Sequence, residues 1–160
     1  MTEDEKDAAR VKFFPPAIPV ATILLALALN VIFPIELAVR LPAPLLYWVG
    51  GAVAVGSIVC LGAWSVLIMR RSGQSENPWK PTTSIIERGP FRITRNPMYL
   101  QMVLVCIGVA IALMNIWLFM LTPLCAWLLQ RTAIIPEERY LEVKFGDAYL
   151  DYKSRVPRWL

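Results

Sequence analysis

Apolar residues fall along the chain in three runs that contain no charged residue: Phe13 to Ile35, Leu41 to Met69 and Asn96 to Gln130. A helix that crosses a bilayer needs about 20 such residues. The first two runs each predict one span. The third is long for one helix and short for two full ones. Met114-Asn115 sits near its middle, and asparagine favours turns over helix interiors. That run predicts a tight helical hairpin whose second arm extends toward Arg131. The expected order is span one at about 15–34, span two at about 45–69, span three at about 98–113 and span four at about 116–135. Pro34, Pro42 and Pro44 mark the first connection. Pro136 is expected to start a fresh helix, since its missing N–H costs nothing in a first turn. Leu141, Phe145, Tyr149 and Tyr152 then recur at helical spacing, and Gly146 is expected to break that stretch into two short pieces. The stretch reads as a lid lying on the membrane face, or equally as a peripheral helix that anchors the end.

Charge placement supports four crossings independently. Arg40 alone lies between spans one and two, whereas Lys6, Arg10 and Lys12, the six cations from Arg70 to Arg95, and the six from Arg131 onward fall in three other segments. Four crossings put those three segments on one face, which the positive-inside rule makes cytoplasmic. The expected fold is therefore all-α and polytopic: about four transmembrane helices, a C-terminal hairpin, a cytoplasmic lid segment, and both termini in the cytoplasm. No A-x-A-like cleavage site follows a short apolar core, so the first run is expected to be retained. Compact size fits a prokaryotic cytoplasmic membrane. The net charge of +4 is explained by this bias and implies no nucleic-acid partner.

Three residue types narrow the chemistry. Cys60, Cys106 and Cys125 all lie in apolar runs and read as small buried hydrophobes, rather than a disulfide framework or a metal cluster. There is no histidine, the commonest general base and metal ligand. Gly50, Gly56 and Gly62 line up along span two and suggest close helix packing.

Two segments are chemically dense. Glu87 to Tyr99 (Glu-Arg-Gly-Pro-Phe-Arg-Ile-Thr-Arg-Asn-Pro-Met-Tyr) leads into span three, where free backbone N–H groups could hold an anion. A rigid turn carrying positive-inside arginines explains the same residues. Arg131 to Tyr140 contains Glu137-Glu138, a pair that could accept hydrogen bonds from ribose hydroxyls or an ammonium. Two acids favoured by a helix dipole are the plainer reading.

Over about residues 77–160 the chain closely resembles the isoprenylcysteine carboxyl methyltransferases and the related phospholipid methyltransferases. The resemblance is carried by Gly89-Pro90-Phe91, Arg95-Asn96-Pro97-Met98-Tyr99, Glu137-Glu138, and Phe145-Gly146 with Tyr149, Tyr152 and Val156-Pro157-Arg158. It implies an integral membrane enzyme that uses S-adenosylmethionine, enclosed by the loop before the hairpin and the segment after it. It also implies one membrane domain over 1–160, with 1–76 on the acceptor side and 77–160 as the cofactor-binding core. Carried over by position, cofactor contacts fall on Thr83, Ser84, Ile85 and Ile86, on Phe91, on Asn96, Pro97, Met98 and Tyr99, and on Glu137. Tyr99, Arg131 and Glu138 become the candidates for catalysis.

Two departures bear on the acceptor. Carboxyl methyltransferases of the family usually have histidine where this chain has Asn96, whereas phospholipid N-methyltransferases can have Asn-Pro-Met-Tyr. A substrate-contacting arginine four residues before the acid is here Ala133, with Arg131 two residues earlier. The acceptor is expected to be a lipid or other lipophilic small molecule, either a prenylcysteine-like carboxylate or a phospholipid amine. A carboxylate needs no base, whereas an amine must shed a proton to Glu138, Tyr99 or solvent. An NADPH-dependent reductase and a non-enzymatic scaffold or transport subunit are the competing classes. The spans offer few polar residues for an ion path.

Overall fold

A computed structural model describes residues 14–35, 41–75 and 80–160; the cations Lys6, Arg10, Lys12 and Arg40 lie outside them. All regular structure among the described residues is helical. The elements are α1 (Ala17–Ile32), α2 (Ala43–Arg71), α3 (Pro97–Ala112), α4 (Ile116–Phe145) and α5 (Asp147–Arg155). Helices α2 and α4, with 29 and 30 residues, are long and apolar enough to cross a membrane, whereas α1 and α3 are apolar but shorter.

Helix α3 is central: it packs on α2, on α4 and on α1, and α1 also packs along α4. The core is made by Ala26, Cys106, Ala110, Leu118, Cys125 and Leu129. The α2–α3 crossing depends on two glycines. A Cβ on Gly50 would lie 2.3 Å from the Gly108 carbonyl oxygen, and one on Gly108 would lie 2.6 Å from that of Gly50. Small residues of this kind let helix backbones approach where lipid supplies no hydrophobic drive. Gly62 meets only the Gln101 side chain and Gly56 meets nothing, so packing explains one of the three aligned glycines fully. Cys106 and Cys125 are buried, but Cys60 is exposed on the outer face of α2.

The hairpin between α3 and α4 turns at Met114, which has a left-handed φ of 49°. Asn115 then caps α4: its Oδ1 accepts from Leu118 N at 2.9 Å and its Nδ2 donates to Ala26 O at 3.3 Å. The cap satisfies one of the orphan N–H groups at a helix start.

Helix α4 corrects one expectation. Pro136 starts no fresh helix, because the chain stays helical from Ile116 to Phe145. The turn before it, Gln130–Ile134, is π-helical. A π turn loosens the hydrogen-bond ladder and carries the chain past a proline that cannot donate to it. The break at Gly146 is present, with φ 52° and ψ −128° between Phe145 and α5. Beyond it Tyr149, Tyr152 and Val156 form a second apolar cluster with Ile85, Leu141 and Phe145, so α5 covers the loop that precedes α3.

The outward faces of α1 and α2 carry large, mostly exposed apolar side chains, such as Val31 (82% exposed) and Trp48 (74%). Exposed apolar surface of this extent marks a contact surface.

Candidate active site

The loop 80–96 approaches the end of α2 through Gly89. Its φ is 57°, a conformation side chains rarely adopt, and a Cβ there would crowd the Trp64 ring at 3.2 Å and displace the end of Ile68, so glycine is favoured at this turn against α2. A short 3₁₀ turn, Gly89–Arg92, follows, with Pro90 buried. Thr94 then organises the entry to α3. Its hydroxyl accepts from Asn96 N at 3.1 Å and donates to Arg158 O at 3.0 Å. Asn96 Nδ2 donates to the same carbonyl at 3.0 Å, and Arg95 N donates to Pro157 O at 3.0 Å. Tyr152 closes the set by donating to Phe91 O at 2.7 Å. The Val-Pro-Arg segment is thereby latched onto the Gly-Pro-Phe and Arg-Asn-Pro-Met-Tyr segments.

Glu138 is the ionic centre of this latch and is buried, at 4% exposure. Arg158 donates to it twice, Nε to Oε1 at 3.0 Å and Nη2 to Oε2 at 2.6 Å. Arg95 Nη2 lies 3.3 Å from Oε1. Paired geometry of this kind is what makes a buried carboxylate tolerable. Glu137 points elsewhere and accepts from the Tyr99 hydroxyl at 2.5 Å. It lies one turn past the apolar part of α4, in the wall of a cavity. Burial raises its carboxyl to about 7, the Tyr99 bond pulling down and the charge of Glu138 pushing up. Burial, with the charge of Glu138, also pushes Tyr149 up to about 12.

The cavity has a volume of about 450 Å³. It lies between the ends of α2 and α3, the loop, the acidic turn of α4, and α5. Met69, Met98 and Met102 supply apolar wall, and Asn96, Tyr99 and Glu137 supply polar wall. Of the residues singled out from sequence, it also brings in Ser84, Ile85, Ile86, Phe91 and Glu138. Thr83, Pro97 and Arg131 do not line it. Thr83 is exposed, and Pro97 is buried in the first turn of α3. Arg131 is exposed and stacks over Trp127, 5.8 Å from the ring centre.

Several lining residues carried no sequence signal. Gln74, just past α2, donates from Nε2 to the Ser84 carbonyl, and to Ser84 Oγ at 2.9 Å, fixing the loop. Thr82 lines the cavity where Thr83 was expected, its N–H donating to the Tyr140 hydroxyl at 3.2 Å. Arg95 also reaches the wall. It lay inside the quoted motif, but nothing in its spacing told it from its neighbouring arginines.

Long apolar helices that meet around a ligand-sized, mixed-polarity cavity at one end define a membrane-associated helical protein with a binding site. The family profile for phospholipid methyltransferases matches residues 39–148, more than half of the chain, and the chain belongs to that family. It is thus a membrane methyltransferase by descent. The chain is also 36% identical over 63 residues to an uncharacterized protein of Haemophilus influenzae, a match covering 39% of this chain and all of that protein. No solved structure matches the chain.

Proposed function

We propose that the protein crosses the membrane four times and transfers a methyl group from S-adenosylmethionine to a lipophilic acceptor at the cytoplasmic face. The observation that carries this reading is the cavity itself: family motif residues from three separated segments wall a single volume of about 450 Å³. Cavities of about 300–1,000 Å³ hold small ligands and cofactors. The donor set fits this cofactor. Tyr99 engages Oε1 of Glu137, and the second carboxylate oxygen can accept from a ligand hydroxyl or ammonium. The methionine-rich wall suits a thioether and a purine. Helix α1 and α3 complete the four crossings by tilting little in a locally thinned bilayer, since short spans are accommodated that way.

The cofactor supplies an activated methyl carbon. Asn96, Met98, Tyr99 and Glu137 would hold it with that carbon open to an acceptor lone pair. The protein's part is to align the two reactants and exclude water. Met69, Met98 and Met102 keep the site dry, and the latch of Arg158 on Glu138 holds loop and helix together. Within the lipophilic class, a phospholipid amine is favoured. The position where carboxyl methyltransferases carry a substrate arginine is Ala133, fully buried in the core, and Arg131 faces outward. An amine must be neutral to attack. Glu138 has its oxygens engaged by arginine, and Glu137 is committed to Tyr99 and the cofactor, so solvent takes the amine proton before attack.

Calorimetric titration of the detergent-purified protein with S-adenosylmethionine and with S-adenosylhomocysteine tests the reading. Saturable binding of both is expected, weakened at least about tenfold by Tyr99→Ala or Glu137→Ala. Absence of binding by folded protein would overturn the reading. Binding of a nicotinamide cofactor instead would put a reductase in its place.

A further inference from the structure

The site contains an arginine whose bonding is incomplete. The Arg95 side chain is 8% exposed and lines the cavity. Nη2 faces Glu138, but Nε and Nη1 make no hydrogen bond among the described residues. The Tyr149 side chain approaches the guanidinium closely enough to interact with it, but neither Nε nor Nη1 meets a partner in full hydrogen-bond geometry among the described residues. A buried guanidinium with two idle N–H groups is costly, because each donor has given up water and gained nothing. The charge count points the same way. Glu138 is one carboxylate set between two guanidinium groups, Arg95 and Arg158, and Glu137 is turned toward Tyr99.

We infer that the Nε–Nη1 edge of Arg95 is an oxyanion seat within the cavity, taking a carboxylate or phosphate oxygen of a bound ligand. The inference rests on the methyltransferase reading for the ligand's identity, but the seat stands on geometry alone. Arginine offers a planar fork to such groups, and an ionised acceptor makes the bonds short and strong. Two ligands could bring the oxyanion: the α-carboxylate of the cofactor, or the phosphate of a phospholipid acceptor.

Two ligand pairs separate these sources in calorimetric titrations. One is S-adenosylmethionine against its decarboxylated analogue. The other is dioctanoyl phosphatidylethanolamine against dioctanoylglycerol. Wild-type protein is expected to prefer the oxyanion-bearing member of one pair by about tenfold or more. Arg95→Gln should abolish that preference while binding of the oxyanion-free member stays within about twofold, which also reports intact folding. Arg95→Lys keeps a cation beside Glu138 without the fork and should lose most of the preference. The pair that responds names the source. Equal weakening of both members, or a preference untouched in both variants, would overturn the seat. If wild-type protein binds neither adenosyl compound, the function reading fails, and the lipid pair still decides the seat.

Discussion

Arg158→Ala removes the arginine that donates twice to Glu138, and its consequence can be worked from the geometry. The variant keeps the backbone carbonyl that accepts from Thr94 and Asn96, so only the ionic half of the latch is lost. Breaking a fully buried ion pair costs about 3–5 kcal/mol. Here Arg158 is 32% exposed, and Arg95 remains 3.3 Å from Glu138. Both facts lower the figure, to about 2 kcal/mol, in the range of hydrogen bonds to charged groups. A change of that size raises the undocked population of the C-terminal segment by roughly thirtyfold. Because α5 covers the loop that walls the cavity, undocking opens the site. Trypsin should therefore cut after Lys153 and Arg155 markedly faster, and cofactor affinity should fall, while far-ultraviolet circular dichroism stays unchanged. Arg158→Lys should recover part of both. Wild-type proteolysis rates together with wild-type affinity in Arg158→Ala would refute the latch.

Four further outcomes are expected. Gly50→Ala should lower the thermal midpoint in detergent by overpacking the α2–α3 crossing, at about 1–3 kcal/mol, whereas Gly62→Ala, which meets only the end of Gln101, should change it little. Cofactor affinity should rise as pH climbs through about 7, where Glu137 becomes ionised, and a flat profile from pH 6 to 8 would remove Glu137 from binding. Since folding raises this carboxyl from 4.5 to about 7, the ligand-free protein should lose stability as pH rises across that window, measured by thermal unfolding, and ligand should offset the loss. Tyr99→Phe removes the bond that pulls Glu137 down, so the midpoint of the affinity profile should move to higher pH.

Helices α1 to α3 and the first part of α4 were legible in sequence because each is an apolar run, and the hairpin turn because asparagine at its centre serves as a cap. Boundaries near prolines were less so. Pro136 carries the signal of a helix start, but whether a chain restarts there depends on the preceding turn, and a π turn has no sequence signature. The site was legible where motif residues act through side chains, as with Tyr99 and Glu137. Gln74 and Thr82 were silent because they act by fixing a loop, through contacts between residues ten and fifty-eight positions apart. The different facing of Glu137 and Glu138 was also hidden. Adjacent acids look alike in a sequence, and only the arrival of Arg158 from twenty residues away separates them.

The π turn at Gln130–Ile134 sets the rotational phase of everything that follows it in α4. Each residue of a helix turns the chain by about 100°. Shortening that turn by one residue would leave composition and hydropathy almost unchanged, yet swing both acids to another side of the helix, away from Tyr99 and Arg158. Descendants of this chain can exchange most lipid-facing side chains freely, but in this segment the number of residues is itself under constraint.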